Sequence, residues 1–359
     1  MSFKRRFYVT GVLVIVIAVA LMVFPASEQA VHIYDRWFYY PLQALRDLFF
    51  GYLPFSIGDM IYIGGGTMLL LALIKWVKYL FHFRANKSQL GASVLNVVNV
   101  GLAVYLYFVL GWGANYYKEP LAKTWALHSN NDTVRLGIFD SMLVAEMNRY
   151  APGYKDMTIA AVNKVAASNY RLYSDSRLTA LGLNIKPSLF GYFLERLAIE
   201  GYYNPFTGEG QVSGRLPAFM LPFVVSHEMA HQAGVAAEGD ANLMAYSLCK
   251  MSSDPAFKYS ADLNVWLYVD RRLRRKDSVR AKKFATGLNS LSQRHVAILD
   301  SLSDLYDNDA TYITSEMYDN YLKLQHQKDG IRSYSSIVAN AWLLERRQFL
   351  KKGTKLYIP

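Results

Sequence analysis

The apolar positions of this chain fall into two regimes that meet near residue 115. Phe7–Phe24 (FYVTGVLVIVIAVALMVF) runs uncharged behind Lys4, Arg5 and Arg6, which is the length of a short transmembrane helix. A second run, about Met60–Phe81, carries Gly64-Gly65-Gly66, tolerable in a membrane helix, and Lys75 and Lys78, which can snorkel to one face. A third, Val94–Trp112, leads into Trp112, Tyr116 and Tyr117, a cluster suited to a membrane interface. Between the first two runs, Ser27–Asp59 mixes charges with many aromatics and reads as an interfacial loop with an amphipathic stretch around Trp37–Leu53. The basic start and the small residues Ala26-Ser27 also fit a signal peptide. The apolar runs that follow so closely favour a retained anchor.

From Pro120 onward the charges spread out and the pattern becomes that of a globular domain. Helical spacing of apolar residues marks Asp132–Tyr150 and Thr158–Tyr173. Lys186–Ser213, rich in Phe, Tyr and Ile and broken by Gly191, Gly201 and Asn204-Pro205, predicts one or two β-strands with turns. Glu238–Met251, Val265–Arg280 and Ala285–Asp307 are again helical, and Tyr318–Arg347 places Gly330–Tyr334 between two helical stretches. The division is therefore a membrane part over 1–115 and a globular part over 116–359.

Charge changes this picture in one respect. The net charge of +11 raises the question of nucleic acid, but no RNP, zinc-knuckle or helix-turn-helix pattern accompanies it, so no nucleic-acid partner is expected. Part of the excess flanks the apolar runs, where positive residues orient membrane helices. The amino terminus and the acid-free Lys75–Lys87 loop should then face the cytoplasm, and Ser27–Asp59 the other side. Three spans leave everything after about Tyr116 outside the cytoplasm. Arg271–Lys276 reads as a solvated helix face. The single cysteine, Cys249, excludes an intrachain disulfide and any cysteine-based zinc cluster, and among Leu248, Met251 and Tyr246 it reads as a buried small hydrophobe.

The candidate chemistry sits in Pro222–Asn242, PFVVSHEMAHQAGVAAEGDAN. On a helix His227 and His231 share one face and can offer both imidazoles to one metal ion. Glu228 then lies beside the open position where a water would be held. A catalytic zinc needs a third protein ligand. Gly234 can end the helix at positive φ, and Glu238 is the first carboxylate the returning chain reaches. Asn242, one turn beyond Glu238, can accept the free N–H of a liganding imidazole, and Asp240 is the rival third ligand. A bare H-E-x-x-H arises by chance in about one chain in a hundred of this length. Here an apolar lead-in, a glycine turn and a helix-opening carboxylate accompany it.

These residues resemble the zincin metallopeptidases, and specifically an uncharacterised bacterial family of membrane-anchored zincins with three N-terminal membrane helices. The likeness runs through the three spans, Asn115-Tyr116-Tyr117, Asn204–Glu209, His227–Gln232, Glu238–Asn242 and Gly330–Tyr334, and so covers nearly the whole chain. The Glu238-Gly239-Asp240-Ala241-Asn242 element is similar to one in integral-membrane CAAX-type peptidases whose first Glu ligates the metal. Those enzymes place it much further from the histidines, so their substrate is not carried over. The family pattern usually has Glu in place of Asp240, which disfavours that residue as an essential ligand.

What the resemblance implies is zinc-assisted peptide hydrolysis, with Glu228 as general base. It also implies a substrate strand added along a sheet edge, for which Tyr202–Ser213 is the candidate, and an oxyanion stabiliser among Tyr334, Arg332, His326 and Tyr321. The expected fold is mainly α with a small β-sheet: three N-terminal transmembrane helices followed by a zincin-like α+β domain. The expected partners are the lipid bilayer of a bacterial inner membrane and a peptide or protein substrate from the envelope. The alternative is a membrane-bound scaffold or binding protein whose metal site is not catalytic. An intramembrane protease is disfavoured, because no second long apolar span carries a carboxylate to complete the site.

Overall fold

The three apolar runs form helices Phe3–Ala26, Ile57–Phe81 and Phe83–Gly111, each long and apolar enough to cross a membrane. They are seen in a computed structural model that describes residues 2–127, 134–172, 181–306, 309–324, 327 and 336–350. All three exceed the apolar runs because polar flanks add helical turns. Ser2 caps the first helix through the Arg5 N–H, and Ser56 caps the second through the Asp59 N–H, 3.0 Å away, each taking up one orphan donor. The basic loop expected over Lys75–Lys87 contracts to His82 alone. Lys75 and Lys78 belong to the end of the second helix, and Arg84 and Lys87 to the start of the third. The first helix packs along the third, where Thr10 Oγ1 donates to Asn99 Oδ1 at 2.7 Å, the kind of polar contact that joins helices in lipid.

The segment between the first two spans is helical rather than a loop. Helix Glu28–Tyr34 passes through a π turn, Asp35–Tyr39, into helix Tyr40–Arg46 and a second π turn, Asp47–Gly51. Its amphipathic character is as expected, but its inner face is a docking surface. Tyr39, Gln43 and Arg46 are buried, and all three reach residues far away in sequence. Gln43 Nε2 donates to the Gly208 carbonyl at 2.8 Å, and Arg46 Nη1 to the Gly111 carbonyl at 3.1 Å.

Strands β1 (Ile185–Pro187), β2 (Gly201–Asn204) and β3 (Glu209–Val212) form a sheet of order β1-β3-β2, one strand more than the sequence pattern predicts. β3 is central, parallel to β1 and antiparallel to β2, with Ile185 opposite Gly210 and Tyr202 opposite Gln211. Of the expected Tyr202–Ser213 edge, only β2 is an edge strand. One buried cation fastens this sheet to the membrane part. Lys186 donates from Nζ to Glu209 Oε1 and the Phe50 carbonyl, both at 2.6 Å, and to the Phe55 carbonyl at 3.2 Å, so its three donors are satisfied. Glu209 in turn accepts the N–H groups of Ile57 and Gly58, at 3.3 and 2.7 Å. These are orphan donors at the positive end of the second membrane helix.

Helices Ile159–Tyr170, Glu238–Met251 and Pro255–Lys276 pack against helix Leu221–Gln232, with Leu136–Tyr150 and Ile337–Leu350 in the layer behind them. Every residue of that central helix is buried. Its polar residues, among them His227, Glu228, His231 and Gln232, therefore sit inside the protein and need internal partners. Trp266, Tyr246, Tyr259 and Phe257, fully buried, supply much of the surrounding core.

Candidate metal centre

Helix Leu221–Gln232 starts with Pro222, whose missing N–H costs nothing in a first turn. It ends in a two-bond cap. Val235 N–H reaches the Ala230 carbonyl at 3.0 Å and Gly234 N–H reaches that of His231 at 2.9 Å, the Schellman arrangement. Gly234 has φ +84°, as its place in the sequence predicts. A Cβ there would also lie 2.6 Å from Tyr39 Cε1, so glycine is required twice over. The turn brings the chain back within four residues, and the next helix opens on Glu238.

The donor atoms of His227, His231 and Glu238 all lie within 4.8 Å of one another. Glu238 Oε2 is 3.2 Å from His227 Nε2 and 3.6 Å from His231 Nε2. Ligands about 2.05 Å from a common tetrahedral centre stand about 3.3 Å apart, so these separations fit a small divalent cation. The imidazoles are also held for that task. His231 Nδ1 donates to the Val235 carbonyl at 2.7 Å, which turns Nε2 towards the other donor atoms, and the Asn242 side chain lies beside His227. Such partners fix tautomer and ring orientation. Asp240 is elsewhere: its carboxylate faces the backbone at Leu121 and is not part of the donor group.

Glu228 lies alongside. It is buried, and its Oε2 has no hydrogen-bond partner among the described residues. Gly201 on β2 makes room for it, since a Cβ there would stand 2.7 Å from Glu228 Oε1. Burial pushes the Glu228 carboxyl up to about 8. At Glu238 burial acts the same way but is outweighed by His231 and His227, which hold the carboxyl well below its ordinary value. Burial disfavours charge on both imidazoles. On His231 the Glu238 carboxylate overcomes it and raises the ring to about 9, whereas His227 stays below its ordinary value.

The group opens into a cleft of about 770 Å³ lined by Tyr202 and Tyr203 of β2, His227, Glu228, Tyr268 and Tyr318. Tyr318, on helix Asp309–Leu324, donates to Glu238 Oε1 at 2.6 Å. No spacing in the sequence singles it out among the 27 tyrosines, and sequence reasoning misses it. Of the four candidate oxyanion stabilisers, Tyr321 lines the cleft together with Tyr116. Tyr334, Arg332 and His326 lie outside the described residues.

Residues 34–342 match a family described as a protein of unknown function (DUF3810). No curated protein and no solved structure matches the chain.

Proposed function

We propose, from the premise that the chain belongs to this DUF3810 family, that it is a membrane-anchored zinc metallopeptidase acting on an envelope protein or peptide. One observation carries the reading: two imidazole nitrogens and one carboxylate oxygen converge in a buried site, beside a second buried carboxylate with an oxygen unpartnered among the described residues. A zinc ion held by His227, His231 and Glu238 would supply an acidified water and a Lewis-acid contact for the scissile carbonyl. Glu228 takes the proton of the attacking water at Oε2 and passes it to the leaving nitrogen. Tyr318 and Asn242 hold Glu238 and His227 in place. β2 lies along the cleft as the edge on which a substrate strand pairs. The competing reading, a metal that only braces the helix pair, would call for a fourth protein ligand and gives no reason to bury Glu228 in a cleft.

The basic residues at Lys4–Arg6 and Lys75–Lys87 favour a cytoplasmic amino terminus and a metal centre on the opposite side of a bacterial inner membrane. The contacts of Thr10 with Asn99 favour a first helix that is retained.

The test is cleavage of a peptide library by the full-length, zinc-loaded protein in detergent, alongside Glu228→Gln. The wild type should cleave and the variant should not, with zinc bound to both. Stoichiometric zinc with no cleavage by the wild type would give the site to the bracing reading.

A further inference from the structure

The donor set stands very near the end of a membrane helix. The third span closes at Gly111, and its capping residue Trp112 packs edge-on against the His231 imidazole, ring centroids 5.9 Å apart. Whatever the direction between the rings, His231 rises no further than that above the indole. The headgroup layer on each face of a bilayer is roughly 5–8 Å deep, so the site falls at headgroup depth.

Both sides of the cleft are built for that depth. On one side, the Glu28–Gly51 segment holds the motif helix with Tyr39 and Tyr40, while its other face leaves Trp37 and Leu48 70% and 68% exposed. Aromatic and aliphatic residues exposed in this way settle into the lipid interface. On the other side, the turn after β1 is tied to the second membrane helix, Leu189 N–H donating to Asp59 Oδ2 at 2.7 Å. That turn exposes Leu189, and the short helix Gly191–Arg196 after it exposes Tyr192 and Phe193, just before the chain becomes the cleft wall at Leu197–Gly201.

We infer, resting on the metallopeptidase reading above, that the substrate is the juxtamembrane segment of a membrane-spanning polypeptide, the first residues beyond its own span. A freely soluble protein has to push its chain into the headgroup layer between two apolar rims. A chain leaving the bilayer beside the third span enters the cleft already extended. At about 3.3 Å per residue, the bond hydrolysed lies within about six residues of the substrate's span.

The experiment uses the full-length zinc-loaded protein in nanodiscs and a randomised ten-residue cassette in three settings. The cassette sits directly after a single transmembrane helix, or behind a rigid helical spacer of about 20 residues, about 30 Å long, or in a soluble peptide. New termini are mapped by mass spectrometry, with Glu228→Gln as the silent control. Because the two anchored arms share their local concentration, the difference between them reports distance from the membrane. Cleavage should be at least about tenfold faster in the direct arm than in either other arm, with cut sites clustered within about six residues of the span. Equal rates in the three arms, or faster cleavage in solution, overturn the juxtamembrane assignment and leave the peptidase reading standing. No cleavage in any arm with zinc bound overturns both.

Discussion

The Tyr39 hydroxyl donates to the backbone carbonyl of His231, 3.2 Å away and 192 residues later in the chain. It shares its proton with the Gln232 carbonyl at 3.1 Å, so one phenol serves two carbonyls of the last helical turn, the His231 carbonyl also taking the Gly234 N–H. Helix Leu221–Gln232 is thereby fixed to the segment that joins the first two apolar helices. Tyr39→Phe should cost about 1–2 kcal/mol of stability, read by thermal unfolding in detergent. Gly234→Ala should cost more. It adds about 1–2 kcal/mol of left-handed strain to a contact with the Tyr39 ring, and an unchanged unfolding temperature would contradict the packing described.

Lys186 and Glu209 form a 2.6 Å pair, 2% and 3% exposed. Lys186→Met leaves the Glu209 carboxylate buried against backbone N–H groups alone, which should cost about 3–5 kcal/mol. Adding Glu209→Gln removes the stranded charge and should recover more than half of that loss. A double variant no more stable than the single one would show that the pair is not what joins sheet to membrane helix.

Tyr318 and Asn242 touch the donor set without belonging to it. Tyr318→Phe should weaken zinc binding about tenfold or more, measured by competition with a chromogenic chelator, because Glu238 Oε1 loses its donor. Asn242→Ala should do the same through His227. Wild-type affinity in both variants would mean that the ligands are positioned by packing alone.

Asp140 gives a pH signature away from the site. Burial, reinforced by Asp270, raises its carboxyl to about 7 despite the hydrogen bond from Trp266. Between its unfolded value of about 3.9 and about 7, the folded chain keeps a proton that the unfolded chain has released. Stability therefore falls as pH rises through that window. Asp140→Asn should raise the unfolding temperature at pH 8 and change it little at pH 4. Equal shifts at both pH values would contradict the burial of the charge.

The compact unit His227–Glu238 was legible in the sequence because its geometry is local. The i, i+4 histidines, Gly234 and the carboxylate four residues on are all set by one helix, one turn and the next helix opening. The membrane spans were legible from apolar run length, though not their polar ends. Arg84, Lys87 and Gln89 extend the third helix by backbone propensity, which hydropathy does not count. Tyr39 on His231, Lys186 between Glu209 and Phe50, and Tyr318 on Glu238 were out of reach, because each joins elements distant in sequence and no spacing records the contact. The same holds for the segment after the first span, whose amphipathic pattern marks two faces without saying that the inner one receives helix Leu221–Gln232.

The central claim is a metal centre built from His227, His231 and Glu238, and it is tested most directly by zinc stoichiometry with X-ray absorption on the full-length protein. One zinc per chain is expected, bound by two imidazole nitrogens and a carboxylate oxygen, with loss of that zinc in His227→Ala. A wild-type protein that takes up no zinc, or a His227→Ala variant that keeps full occupancy, would contradict it.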